Sequence, residues 1–323
     1  MRSLRAAPRG APARDRGQAL TEAAFAALLV ILVGAVARRA GVVRREDGPL
    51  LVRLVINLTL PPLIFLILVR ADLDGALLLV PVAGIVVHVV LLLLVAGATR
   101  VWGTERPRTG ALMIASAIGN TGFFGLPLIA ASGAGFSQPA AVLYHSLATS
   151  PLTWTSTIAI ASAYGGADGA PRVRAREVAR SLMVPPTWAL IAGVAVNLAG
   201  VDLPQAAERP FEILAAATLP LTMIYAGIML ETRGLHRLWP ELSFVVVVKL
   251  GLAAVIGYGV GVALGLDGDV LNTVVIMAAM PTAMMSLVTG TRGGLRSDIL
   301  AAAVVVTTVL ATLTLPAWRA LLL

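Results

Sequence analysis

The sequence predicts an all-α membrane protein: ten transmembrane helices forming two inverted five-helix repeats, with crossed, broken helices 4 and 9. Composition is the first reason. Of 323 residues, 58% are hydrophobic and 13% charged, against about 45–50% and about 25% in soluble domains. Segment length is the second. Apolar runs recur along the whole chain, and roughly 20 residues at about 1.5 Å each cross a hydrocarbon core of about 30 Å. Internal repetition is the third. Ile31–Val43 returns, rewritten, as Leu190–Asp202, and Thr59-Leu60-Pro61 returns as Thr218-Leu219-Pro220. Pro81 falls on Pro240 at the same offset. Each copy carries five apolar segments. Five is odd, so the second copy enters the membrane from the opposite side, which is how many secondary transporters are built.

In chain order, residues 1–20 read as a disordered tail rich in Pro, Ala, Gly and Arg. Residues 21–163 form the first repeat, with spans at 22–38, 50–69, 76–98, 110–131 and 139–162. Residues 164–180 read as a Gly- and Arg-rich cytoplasmic linker. Residues 181–323 form the second repeat, with spans at 182–200, 211–230, 241–264, 270–290 and 298–318. The loops leave no room for a soluble domain.

Orientation follows from arginine. The odd-numbered connections hold Arg38, Arg39, Arg44, Arg45, Arg100, Arg106, Arg108, Arg172, Arg174, Arg176, Arg180, Arg233, Arg237, Arg292 and Arg296. The alternate connections hold Arg70 and Arg209. This asymmetry places the odd connections in the cytoplasm and both termini outside the cell (inner) membrane. Arg2, Arg5, Arg9, Arg14 and Arg16 of the tail pull the other way. Either the loops outvote them or translation starts nearer Leu20. A signal peptide cut after Ala35-Val-Ala37 is the weaker reading, because span 1 is the repeat partner of span 6.

Several function classes drop out. The chain has no cysteine, so no thiol catalysis, disulfide framework or cysteine metal site exists. The net charge of +8 comes from arginines clustered between apolar runs rather than on one face, so no nucleic-acid partner is expected. His88, His145 and His236 show no metal-ligand spacing. No Walker A, Gly-x-Ser-x-Gly or His-Glu-x-x-His string occurs, which argues against ATP as the direct energy source and against an intramembrane enzyme. No cofactor is expected.

The informative positions are where helices should break. Span 4 reads Ala115-Ser-Ala-Ile-Gly119-Asn120-Thr121-Gly122-Phe-Phe-Gly125-Leu-Pro127. Glycine and proline weaken helix propagation, and proline removes a backbone donor. Opened backbone at this depth is tolerated only where protein or a watery cavity receives it. Span 9 reads Ile276-Met-Ala-Ala-Met280-Pro281-Thr282-Ala-Met-Met-Ser286 and is the repeat partner of span 4. Paired breaks at corresponding positions are the best sequence pointer to a transport site. Each creates a half-helix N-terminus with free N–H groups and partial positive charge, suited to a carboxylate. The candidate substrate-binding residues are Gly119, Asn120, Thr121, Gly122, Pro127, Pro281 and Thr282. Asn57, in Ile56-Asn57-Leu-Thr59-Leu-Pro61-Pro62, is equally readable as a site residue or as glue between helices.

These strings resemble the auxin efflux carrier family. Asn57-Leu-Thr-Leu-Pro61-Pro, Gly119-Asn-Thr-Gly-Phe-Phe-Gly-Leu-Pro127 and Ala279-Met-Pro281-Thr-Ala283 carry the resemblance, which extends from about residue 22 to 318. It implies ten spans in two inverted repeats and crossed, broken fourth and ninth helices. It also implies an elevator-like or rocking movement of the crossover bundle, and contact between Asn120 and a substrate carboxylate. The chain departs from the pattern in three places. Span 3 lacks the acidic and basic residues of plant members and has only His88. Met284 and Met285 stand where many bacterial relatives have an Asn. The long cytoplasmic loop of many plant members is missing.

Lys249 lies in span 8, His88 in span 3 and His145 in span 5; these are the ion-coupling candidates. A lysine at the bilayer centre costs about 2.5–3.5 kcal/mol on insertion scales, so Lys249 either has a buried role or snorkels to the interface. No carboxylate occupies the middle of a span, since Glu22, Glu212, Glu231 and Glu241 sit at ends. The leading expectation is a secondary carrier for a small organic acid such as malonate, malate or another mono- or dicarboxylate. Alternating access would occur at a midplane crossover. The expected partners are that acid, the lipid bilayer, and a proton or sodium as coupling ion, with a homodimer left open. The alternatives are a sodium-coupled carrier of the bile-acid-symporter type, or a sensor that keeps the fold without transport.

Overall fold

The structure is a computed structural model and describes residues 13–133, 135–165, 183–230 and 234–322. Residues 1–12 of the expected tail and most of the expected linker lie outside the described residues. The first helix, α1 (Ala13–Arg39), begins ahead of the expected span. Next come α2 (Gly48–Leu54), a π-helical turn at Val55–Thr59, α3 (Leu60–Val69), α4 (Gly75–Val101) and α5 (Arg106–Ala117). A second π turn, Thr121–Gly125, leads into α6 (Leu126–Ser132). A third, Tyr144–Thr149, joins α7 (Gln138–Leu143) to α8 (Ser150–Tyr164). The remaining helices are α9 (Pro185–Leu198), α10 (Gln205–Ala216), α11 (Thr218–Met229), α12 (Trp239–Val246), α13 (Ala253–Ala263), α14 (Gly268–Ala278), α15 (Met284–Arg292) and α16 (Ser297–Leu322), with a π turn at Val247–Leu252 between α12 and α13.

Among the described residues there is no β-strand, only one isolated bridge between Gly119 and Thr282. Among the described residues, six helical stretches are long and apolar enough to cross a membrane: Ala19–Arg39, Arg45–Val69, Gly75–Val101, Gln205–Met229, Leu235–Ala263 and Ser297–Leu321. Shorter apolar helices occupy Thr121–Ser132, Pro185–Leu198 and Gly268–Ala278. Two of these belong to segments 110–131 and 270–290, each cut in mid-course, so neither half alone reaches bilayer length. The paired Thr-Leu-Pro strings both mark local breaks. The π turn at Val55–Thr59 precedes Pro61, and α10 gives way to α11 at Ala217, just ahead of Pro220.

Packing divides the helices into two groups. In the first, α1 lies along α11, and α3 lies against α9 and α10. Glycine permits the α1–α11 contact. A Cβ on Gly227 would strike the Ile31 carbonyl and come within 2.8 Å of the Ala35 nitrogen, so the two backbones touch. Hydrogen bonds tie these helices further. Asn197 Nδ2 on α9 donates to the carbonyls of Leu68, Val69 and Ala71 at 2.7–3.0 Å, satisfying the end of α3. Arg38 donates to the carbonyls of Ile228 and Leu230 at the end of α11, both at 2.7 Å. The second group packs α4, α5, α8 and α12 to α16 around a core that includes Ile114, Ile118, Val245 and Ile299. The two interrupted segments run past each other where the groups meet: α5, α14 and α15 pack in the second group, while α6 and α16 also pack against α1.

Candidate functional site

The two breaks meet. Ile118, Gly119 and Asn120 run antiparallel to Pro281, Thr282 and Ala283. Asn120 N–H donates to the Pro281 carbonyl at 2.6 Å, and Ala283 N–H donates to the Ile118 carbonyl at 3.0 Å. The glycine and proline that open each helix therefore lead to a short strand-like pairing, which absorbs backbone groups that the bilayer interior could not. Thr282 fixes the second break. Its hydroxyl donates to the Ala115 carbonyl at 2.7 Å, and its N–H donates to Thr307 Oγ1 at 3.0 Å. Thr307 in turn donates to the Ala303 carbonyl at 2.6 Å.

The first break opens differently. Past Asn120 the chain re-enters a helix, and the Asn120 carbonyl accepts from the N–H groups of Phe124 and Gly125. The N–H groups of Thr121, Gly122 and Phe123 belong to the orphan first turn of that half-helix. All three residues line a cavity of about 110 Å³ together with Gly119, Asn120, Ile56, Leu60, Ala283 and Met285. The rest of the wall comes from the Tyr144–Thr149 π turn, the start of α8 and the start of α9. It presents His145, Ser146, Thr149, Ser150, Thr153, Trp154, Val184, Pro186 and Thr187. Asn120 is only 5% exposed, and its side-chain amide makes no hydrogen bond among the described residues. Such an amide is costly unless something in the cavity meets it.

A second, smaller cavity lies behind the crossover. His88, Ala117, Gly119, Thr121, Tyr144, Lys249 and Ala278 are among its walls. Lys249 does not snorkel. It is 2% exposed, and its Nζ donates to the Ala278 carbonyl at 2.7 Å, where α14 ends. That amine sits at the partial negative end of the half-helix preceding the second break. His88 takes the matching place before the first break. It shares the small cavity with Ala117 at the end of α5, and Nε2 is 3.1 Å from Ser156 Oγ. Lys249 and Ala278 are 29 residues apart, the same separation as His88 and Ala117.

Gly119, Asn120, Thr121 and Gly122 are gathered at the cavity, with His145 beside Thr121. Pro281 and Thr282 form the back of the crossover and not the cavity wall. Pro127 is buried at the start of α6, one turn past the cavity. Asn57 is exposed, and its amide donates to the Arg53 carbonyl at 2.7 Å, within its own helix. The hydroxyl-rich wall from α8 was not anticipated. Its signal was available in Thr149-Ser150-Pro151 and Thr153, polar residues inside an expected span.

A membrane transporter is the class of protein that this arrangement fits, and comparison with known proteins agrees that it is one. A family model described as membrane transport protein matches residues 19–165 and 170–319. The chain belongs to that family, the auxin efflux carriers. It is 30% identical to an uncharacterized transporter of Methanothermobacter thermautotrophicus over 94% of this chain and 98% of the relative. It is 30% identical to a putative malonate transporter of Rhizobium meliloti, over 62% of this chain and 63% of the relative. An uncharacterized transporter of Methanocaldococcus jannaschii is 23% identical over 92% of this chain and 96% of the relative. The protein is accordingly a multi-pass membrane transport protein and not an enzyme.

Proposed function

We propose that this protein is a secondary carrier of a small organic anion, whose carboxylate is held at the first break. One observation carries the reading: the Asn120 amide, nearly buried and without a partner among the described residues, faces a cavity beside the first-turn N–H groups of Thr121 and Gly122. Oriented N–H groups, an amide and a hydroxyl make an anion site that needs no cation in contact. The putative malonate transporter among the relatives fits a small organic acid as cargo.

The fold reading extends this. Ten crossings arranged as two inverted five-helix repeats account for the matched Thr-Leu-Pro breaks and for the paired positions of His88 and Lys249. The group containing α4, α5 and α14 to α16 would move against the group containing α1, α3, α9 and α11, carrying the crossover between the two faces of the membrane. The arginine pattern favours the cytoplasmic side for the odd connections and places the carrier in the cell (inner) membrane. Lys249 is committed to a backbone carbonyl, which favours a fixed counter-charge for the crossover over a shuttling group.

The test is counterflow of labelled malonate, and of a panel of other small mono- and dicarboxylates, in liposomes holding the purified carrier. Saturable exchange that Asn120→Ala abolishes supports the assignment. Exchange unchanged by Asn120→Ala removes it.

A further inference from the structure

We propose that His145 is a positioning residue of this site. Its Nδ1–H donates to Thr121 Oγ1 and thereby frees the Thr121 hydroxyl proton for the cargo carboxylate. The proposal rests on the anion-carrier reading and adds the group that sets the polarity of the cavity wall.

The geometry is simple. Thr121 Oγ1 and His145 Nδ1 are 2.9 Å apart, a hydrogen bond whose direction depends on the ring tautomer. Both residues line the cavity. A hydroxyl has one proton to give. If Nδ1 is bare, Thr121 gives that proton to the ring, and only oxygen lone pairs are left for the cavity. They repel a carboxylate. If Nδ1 carries a hydrogen, the ring donates, and the hydroxyl proton can point at the anion. The tautomer of His145 thus decides whether Thr121 attracts or repels the cargo.

An anionic cargo selects the attracting form, and two further observations show how the ring is positioned for it. Nε2 makes no hydrogen bond among the described residues, so the contact with Thr121 is the one side-chain hydrogen bond that orients the ring there. The ring is also held in place. A Cβ on Gly122 would lie 2.6 Å from His145 Cε1 and 2.8 Å from Nε2, so the imidazole occupies space that only glycine leaves open. This gives the last glycine of Gly119-Asn-Thr-Gly122 a physical reason. It lets the ring come close enough to reach the neighbouring threonine. The other titratable neighbours are Tyr144 on the same turn, and His88 and Lys249, which share the small rear cavity with Thr121. No Asp or Glu is among the described residues lining either cavity, so no carboxylate there competes for the ring protons.

The test uses the full-length carrier in liposomes and has two arms. In nitrogen-15 spectra of histidine-labelled protein at neutral pH, the His145 signal, assigned by its loss in His145→Asn, should report a protonated Nδ1 and a bare Nε2. A protonated Nε2 with bare Nδ1 overturns the proposal. In the second arm, malonate is the probe. His145→Phe should raise its Km about tenfold or more, the scale of one hydrogen bond to a charged group. His145→Asn, whose amide N–H stands near the Nδ1 position, should recover most of that loss, and its residual activity should vary less with pH than wild type. Thr121→Val combined with His145→Phe should be no worse than Thr121→Val alone. Additive losses, or an Asn variant as weak as Phe, contradict the positioning role. Absence of wild-type malonate exchange would count against malonate as cargo, and the spectra would still decide the tautomer.

Discussion

The two breaks occupy matching places in the two halves, yet they are built for different tasks. At the second, the donors are consumed by the protein. Thr282 gives its hydroxyl to Ala115 and its N–H to Thr307, and Ala283 gives its N–H to Ile118. At the first, only the Asn120 N–H is spent, on Pro281. The Asn120 amide and the neighbouring first-turn N–H groups are left for the cavity. The difference separates anchoring from recognition. Residue type follows the split. Asn, Thr and Gly offer donors and room, whereas Pro281 removes a donor and offers a carbonyl to its neighbour.

Substitutions at the two breaks should therefore separate transport from stability. Asn120→Ala is expected to have the largest effect on transport. Losing a hydrogen bond to a charged cargo removes about 1.5–3 kcal/mol, roughly a tenfold to hundredfold fall in Vmax/Km. The amount of folded carrier in the membrane should not change, and counterflow alongside quantified membrane insertion would show it. Thr282→Val should do the reverse. It strands the buried Ala115 carbonyl that the Thr282 hydroxyl serves, at about 1–3 kcal/mol. A lower melting temperature with an unchanged cargo Km is the expected pattern; a higher Km at unchanged melting temperature would erase the distinction. Asn57→Ala should have the smallest effect, within about 0.5 kcal/mol and with near wild-type exchange, because its amide bonds only to its own helix. Strong loss there would mean that the cargo also visits the π turn of α2 and α3.

Much of this was legible in the sequence, for physical reasons. Apolar run length reports membrane crossing directly. Gly119 and Pro281 announced the breaks because no simple lipid-facing helix collects such residues in mid-course. Which break faces the cavity was not legible. That depends on Ala115, Thr307 and Lys249, each remote in sequence from the groups it meets. Asn57 shows the opposite failure. A polar residue in an apolar run has the same appearance whether it turns to a cavity or back to its own helix. The α8 wall was missed because Ser and Thr in a span commonly bond to the preceding turn, as Thr153 does to Thr149. Lys249 was left between burial and snorkelling, and the Ala278 carbonyl at the end of α14 decided for burial.

The absence of native cysteine allows the central claim to be tested with single thiols. Ser146→Cys puts a thiol on the cavity wall beside the first break, and Thr282→Cys puts one behind the second. A small polar methanethiosulfonate reagent should modify the thiol at 146, and saturating cargo should protect it. The thiol at 282 should stay unmodified in the folded carrier. Free labelling at 282 that cargo blocks, with labelling at 146 indifferent to cargo, would place the anion at the wrong break and contradict the account.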